Sequence, residues 1–306
     1  MPKDFSQNYW NPVIKMELQR LLEMAMAEDI ETLGDLTSQS LVPESAEGVA
    51  TIHSRQIGTA AGIQAVPSIL AAVDTSLRWE PAVFDGADLA LGTRIGVISG
   101  QARSLFISER IVLNILGRLS GIASLTKKYV EAVKGTSARI YDTRKTILGW
   151  RRLEKYAVRC GGGMNHRTGL YDAILIKDNH LAFGAGTEES PRFSPAEAVT
   201  YAKEFLNRHF DDVPIVEIEV DTLEQLKEIL PTEPDIVLLD NMTPAQLTDA
   251  VRMRNILNPK VELEASGGIT LQTVSSVAKT GVERISVGAL THSAGSLDLG
   301  LDWGTN

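Results

Sequence analysis

The chain has 306 residues, 43% of them hydrophobic and 23% charged, room for one large or two modest globular domains. Its 30 Lys and Arg against 39 Asp and Glu leave a net charge of −9, which argues against general nucleic-acid binding, since that needs a basic footprint. The single cysteine, Cys160, excludes an intrachain disulfide, no apolar run reaches the ~20 residues of a membrane span, and the start MPKDFSQNYWNP lacks a secretory apolar core, so a reducing cytoplasmic setting is expected.

Residues 11–27 read as a helix, with Val13, Met16, Leu18, Leu21, Leu22, Met24 and Ala25 at helical spacing. EDIETLGDLTSQSLVP (28–43) reads as a loop, in which Asp29, Asp35, Thr37 and Ser38 are capping and turn residues before they are ligands. From Gly48 to Gly100 the pattern shortens: GVATIHSR and TRIGVISGQ predict strands, and PSILAAVDT predicts a helix between them. This is an α+β region with a mostly antiparallel sheet. Residues 108–134 predict a long helix capped by Ser108. Its small residues Gly117, Ser120 and Gly121 permit close packing, and a partner chain is one candidate to fill that space.

Beyond Lys134 the chain repeats a unit: a short apolar run, a polar or glycine ending, then a helical segment. The runs are 138–142, 173–176, 215–220, 235–240, 261–265 and 284–288, and the glycine run 161–163 offers a seventh place. Alternating β and α with apolar strands predicts a parallel sheet covered by helices, here a barrel. In such a fold the chemistry sits at the C-terminal strand ends. Those ends deliver Thr143, Arg144 and Lys145; Lys177; Glu219; Asp240; Ser266, Gly267 and Gly268; and Val287, Gly288 and Ala289.

The segment 138–180 also concentrates positive charge, with nine Lys and Arg against four Asp and Glu in an acidic chain. A cationic island of this kind suits a small anion with several charges, and arginine matches carboxylate or phosphate in a bidentate way. A solvated basic face is the bland alternative. The two late glycine turns can present backbone N–H groups to a phosphate. Glu219 and Asp240 fit Mg²⁺, ribose hydroxyls or a glycosidase-like pair, and their positions alone leave all three open.

DTRKTILGWRRLEKYAVRCGGGMNHRTGLYDAILIKDNH closely resembles the signature region of the quinolinate phosphoribosyltransferases. The match continues through SERIVLNILGRLSGIASLT, VEIEVDTLEQL, VLLDNMTP and LEASGGIT. Ile147-Leu148 and Trp150 depart from the family pattern, and GAGTEESPRF is a variable-looking loop. The resemblance implies an N-terminal α/β sandwich over residues 1–125 and an open seven-stranded parallel α/β barrel over 126–290, with the tail 291–306 returning to the first domain. It implies transfer of a phosphoribosyl group from 5-phosphoribosyl-1-diphosphate to quinolinate with decarboxylation, giving nicotinate mononucleotide for NAD. Mg²⁺ would act with the diphosphate substrate, bound by Glu219 and Asp240 or only through the substrate, and no organic cofactor is expected. The chain would be a homodimer or larger, with Arg110 donated to the partner's site. Arg144, Lys145, His166, Arg167 and Lys177 would line the pocket, and Lys145, Lys177, Glu219 and Asp240 would be catalytic. Ser266–Gly268 and Val287–Ala289 would take the 5-phosphate. The rivals are a nicotinate-using or molybdenum-associated relative of the same fold and a non-catalytic phosphate-binding protein.

Overall fold

The computed structural model describes residues 4–184, 193–212 and 214–304, so most of the GAGTEESPRF segment lies outside the described residues. In chain order the strands are β1 (Glu47–Ser54), β2 (Gly58–Thr59), β3 (Arg78–Pro81), β4 (Asp88–Leu89), β5 (Arg94–Gln101) and β6 (Arg139–Tyr141). They continue with β7 (Ile174–Ile176), β8 (Val216–Val220), β9 (Ile236–Asp240), β10 (Glu262–Ser266), β11 (Arg284–Ser286) and β12 (Leu299–Gly304). Two compact units use interleaved stretches of chain rather than two continuous halves. The first takes residues 1–7, 128–144 and 164–289, and the second takes 8–127, 145–163 and 290–306.

The second unit holds an antiparallel sheet in the order β12-β1-β5-β3. Strand β1 alternates, burying Ala50, Ile52 and Ser54, as period-two side chains on a half-covered sheet must. Its partner β12 is the C-terminal tail, paired from Val49–Gly304 to Ser54–Leu299. The helix Pro12–Ile30 starts where Asn11 accepts the Val13 and Ile14 N–H groups. One expected loop is partly helical: Asp35 accepts from Thr37 and Ser38 N–H and starts a short helix, Leu36–Leu41. The long helix runs from Ala102 to Ala132 and begins before its expected cap, so Ser108 is an interior residue bonded to the Leu105 carbonyl.

The stripe of small residues on that helix has an occupant from the same chain. An added Cβ on Gly117 would lie 3.0 Å from the Leu297 carbonyl oxygen, and one on Gly121 would lie 2.0 Å from that of Gly295. Ser120 Oγ meanwhile accepts the Ala61 N–H at 3.0 Å. Backbone of the tail therefore lies where a partner helix was a candidate.

The first unit is a parallel sheet in the order β6-β11-β10-β9-β8-β7. Burial on both faces gives the strands their near-continuous apolar character, with Ile236, Val237, Leu238 and Leu239 all buried in β9. A seventh position exists beside β6, where Met164 makes a parallel bridge to Tyr141. Met164 N–H bonds Ile140 O at 2.7 Å, and Asp142 N–H bonds Met164 O at 3.1 Å. The glycine run thus leads into a strand reduced to one residue. Among the described residues no ladder joins Met164 to β7, so the barrel is open there. Ser194, Thr222 and Thr243 start three of the covering helices with reciprocal caps.

Gly121→Ala should raise helix propensity yet destabilise the protein by about 1–3 kcal/mol, because the methyl group collides with backbone. Thermal denaturation checks this, and an unchanged melting temperature would show that the tail gives way freely.

Candidate active site

Parallel strands place all their C-terminal ends at one end of the sheet, so the expected rim is built by register. Ser266 pairs directly with Asp240 across β10 and β9, and Ile176 pairs with Ile218 across β7 and β8. Lys177 therefore leaves β7 beside Glu219, and its ammonium contacts that carboxylate. Asp240 Oδ2 accepts from the Asn241 amide at 2.7 Å, and Asn241 N–H bonds Ser266 O at 2.9 Å. Gly267 and Gly268 both have positive φ, 92° and 59°. A Cβ on Gly267 would fall 2.2 Å from Asn241 Oδ1, so the turn needs glycine both for its backbone angle and for the close approach. Val287 N–H continues the ladder to Tyr141 O at 2.9 Å. Glu219 and Asp240 supply hard oxygen donors of the kind that suit Mg²⁺.

The cations Arg144 and Arg167 lie close enough for each charge to act on the other. Burial first, and then the Arg144 charge, push the Arg167 guanidinium below its ordinary pKa. Arg167 Nη1 donates to Ala173 O at 3.0 Å, across the barrel opening to the residue before β7. The Nε groups of both arginines are buried and have no hydrogen-bond partner among the described residues. Two neighbouring guanidiniums with buried, unused Nε donors suit a negatively charged group, because an anion relieves both the repulsion and the desolvation.

His166 is placed differently from the rim cations. Its ring points into the barrel, with Nε2 3.1 Å from Glu217 and 3.4 Å from Glu264. Arg167 N–H donates to Nδ1 at 2.8 Å, which puts the neutral ring's proton on Nε2. Burial opposes charging this ring, but the two carboxylates outweigh it and lift the pKa to about 9. The Nδ1 bond also opposes a second proton, yet one neutral bond is worth less than two charge pairs in a dry interior. Glu264 is buried too, but His166 and Arg284 hold its pKa down at about 2. Burial raises Glu217 instead. The ligand atoms of His166, Glu217 and Glu264 fall within 4.8 Å of one another, a group that could hold a metal ion; Arg284 bonds Glu264 at 3.2 Å, and neither Glu217 oxygen has a hydrogen-bond partner among the described residues.

A family model for the C-terminal domain of quinolinate phosphoribosyl transferase matches residues 122–302, and one for its N-terminal domain matches 35–120. The chain belongs to this family. It is 41% identical over 283 residues to the carboxylating nicotinate-nucleotide pyrophosphorylase of Mycobacterium leprae, covering 92% of this chain and 95% of that protein. A probable enzyme of the same name from Bacillus subtilis is 41% identical over 289 residues, covering 94% and 93%. The solved nicotinate-nucleotide pyrophosphorylase of Francisella tularensis superposes with a TM-score of 0.87 at 35% identity, over 98% of this chain and all of that one.

Two residues that the family resemblance singles out, Arg110 and Lys145, fall in the second unit. Arg110 is exposed on the long helix, 4.0 Å from Glu109. Lys145 is held through its backbone, since Thr291 Oγ1 donates to Lys145 O at 2.8 Å. Glu154, fully buried, accepts the nearby Ile147 N–H at 3.2 Å and pairs with Arg118 at 2.5 Å. Arg118 also bonds the carbonyls of Thr291 and Ala294, so one guanidinium ties the Lys145 loop to the tail. Burial, and then Asp85, push the Cys160 thiol up to about 12, which disfavours its thiolate.

Sequence reading has no place for Glu264, Arg284 and Glu154; it puts Asp142 at the end of β6 and, by period two, Glu217 on the face of Glu219, but assigns neither a role, and all five are buried charges.

The raised His166 pKa contributes stability that is complete below its ordinary 6.5 and lost as pH rises through about 9. The lowered Glu264 pKa contributes stability that is complete above 4.5 and lost as pH falls through about 2. Denaturant titrations should show both limbs, and His166→Asn should flatten the alkaline one. Arg118→Ala should cost about 3–5 kcal/mol, since it strands the buried Glu154 charge; a loss below 1 kcal/mol in urea unfolding would contradict this reading.

Proposed function

We infer that this chain transfers the phosphoribosyl group of 5-phosphoribosyl-1-diphosphate to quinolinate, releasing diphosphate and CO₂ and leaving nicotinate mononucleotide for NAD biosynthesis. The observation that carries this is the crowded pair Arg144 and Arg167, each with a buried, unused Nε. Quinolinate is a dianion, and two carboxylates need several fixed cations in a site drier than water. Nicotinate has one carboxylate and would leave part of that charge unanswered.

In our proposal Arg144, Arg167 and Lys177 orient the two carboxylates so that the ring nitrogen faces C1′ of the ribose. The nitrogen forms a bond to C1′ as the C1′–O bond to diphosphate breaks. Positive charge develops on the ribose, and Glu219 and Asp240 steady it while accepting its hydroxyls. A divalent cation, Mg²⁺ in our reading, would sit with Glu219 and Asp240, directly or through the substrate, and neutralise the leaving diphosphate. The 5-phosphate is assigned to Ser266–Gly268 and Val287–Ala289. The carboxylate beside the new pyridinium nitrogen then leaves as CO₂, and its bonding electrons stay on the ring carbon, which takes a proton. The pyridinium charge stabilises that carbanion, so no organic cofactor is required. His166 holds the floor of this pocket rather than reacting. The protein is proposed to work in the cytoplasm as a homodimer or larger assembly whose Arg110 enters the partner's site.

Diphosphate and CO₂ release should be measured with quinolinate and with nicotinate as acceptor; faster turnover of nicotinate overturns the substrate assignment. Arg167→Lys should lower kcat/KM for quinolinate by at least ~10-fold, about 1.4 kcal/mol, because one ammonium cannot replace a fork. Arg110→Ala and Lys177→Ala should each be inactive, and mixed dimers should recover part of the activity if sites are shared.

A further inference from the structure

The open edge of the barrel poses a packing problem. Met164 spends its N–H and carbonyl on β6, bonding Ile140 and Asp142, which turns the next backbone groups toward the edge of the sheet. The next residues, Asn165, His166 and Arg167, are all buried. Backbone polar groups buried at a sheet edge need partners that a ladder would otherwise supply.

Part of that partner comes from the far end of the chain. Gln7 Oε1 accepts the Asn165 N–H at 2.8 Å, and Gln7 Nε2 donates to Asn165 O at 3.2 Å. One side-chain amide thus meets both groups that a neighbouring strand would have met. Gln7 Nε2 also donates to Phe5 O at 2.8 Å, which ties the amide to its own segment. Phe5 is buried and stacks on the His166 ring, with centroids 4.3 Å apart and planes 27° apart. Asp4 anchors the segment by bonding Arg284 at 3.0 Å and Arg139 at 3.1 Å. From within the barrel, Asp142 holds the Asn165 amide at 2.7 Å and the His166 N–H at 2.8 Å.

We propose that residues 4–7 are a positioning element for the quinolinate pocket: Gln7 fixes the backbone of Asn165, Phe5 fixes the plane of His166, and together they set where Arg167 presents its guanidinium. This rests on the reading that Arg167 binds the substrate. A plain filler would occupy the same space, but it would not need an amide matched to both Asn165 groups or an aromatic face laid on a buried imidazole. The N-terminal segment therefore contributes to substrate affinity without touching the substrate.

The test uses the full chain carrying Gln7→Met, which keeps shape but loses both bonds, or Phe5→Leu, which keeps apolar volume but loses the stack. Each should raise KM for quinolinate about tenfold and leave KM for 5-phosphoribosyl-1-diphosphate within about twofold. The His166 Cε1–H resonance, shielded by the Phe5 ring, should move in Phe5→Leu. Lower melting temperatures with parent-like KM values for both substrates would overturn the proposal and leave a filler. Arg167→Lys measured alongside separates the two claims. A parent-like quinolinate KM there sinks the assignment of Arg167, whereas a raised one beside parent-like Gln7→Met and Phe5→Leu sinks only the role of the segment. If Phe5→Leu fails to fold, Gln7→Met decides the matter alone, since Gln7 is only half-buried.

Discussion

Arg284 has no exposed surface and is the charge around which the barrel interior is arranged. Its guanidinium bonds Glu262 at 2.8 Å, Glu264 at 3.2 Å and Asp4 at 3.0 Å, and it lies 3.9 Å from the centre of the Tyr141 ring. A buried cation is tolerable only when its donors are used and its charge is met. Here the neutralising groups come from a neighbouring strand and from the N-terminal segment. Each of them then has a second duty: Glu264 turns also to His166, and Asp4 turns also to Arg139. The interior is therefore a linked set of charges in which no member can be removed without leaving another unmatched.

On the floor Glu264 answers both Arg284 and His166, while nearer the mouth Arg144 and Arg167 keep buried Nε donors with no hydrogen-bond partner among the described residues. Arg144 and Arg167 crowd each other with buried Nε groups unused, an arrangement that costs free energy until an anion arrives. Lys177, by contrast, is engaged with Glu219, so its charge is shared before any substrate binds. The rim thus presents two arginines with donors to spare near Glu219 and Asp240, suited to an anionic ring next to a sugar that becomes positive.

Much of this was legible in the residues. The endings after short apolar runs located Arg144, Lys177, Glu219, Asp240 and the SGG turn, because a strand end and its loop are local events. The same reading left the seventh strand uncertain in extent, for Met164 makes only a single bridge and no one-residue strand has a periodicity. It took Leu36–Leu41 for loop, since polar residues that favour turns also cap and start helices. It offered a partner chain for Gly117 and Gly121, where the structure places the protein's own tail. A gap reserved for close packing records its size but not its occupant.

By itself, then, the sequence determined the order of strands and helices, the residues at the strand ends and the family to which they belong. Period and spacing act over a few residues and are written in the chain. Only the tertiary structure decided that Asp4, Phe5 and Gln7 complete a barrel whose remaining residues begin more than a hundred positions later. It alone paired Glu217 and Glu264 with His166, and Arg118 with Glu154. Such contacts join distant segments through side chains that look, in isolation, like ordinary surface charges. What makes them buried partners is the closing of the sheet, which no local pattern records.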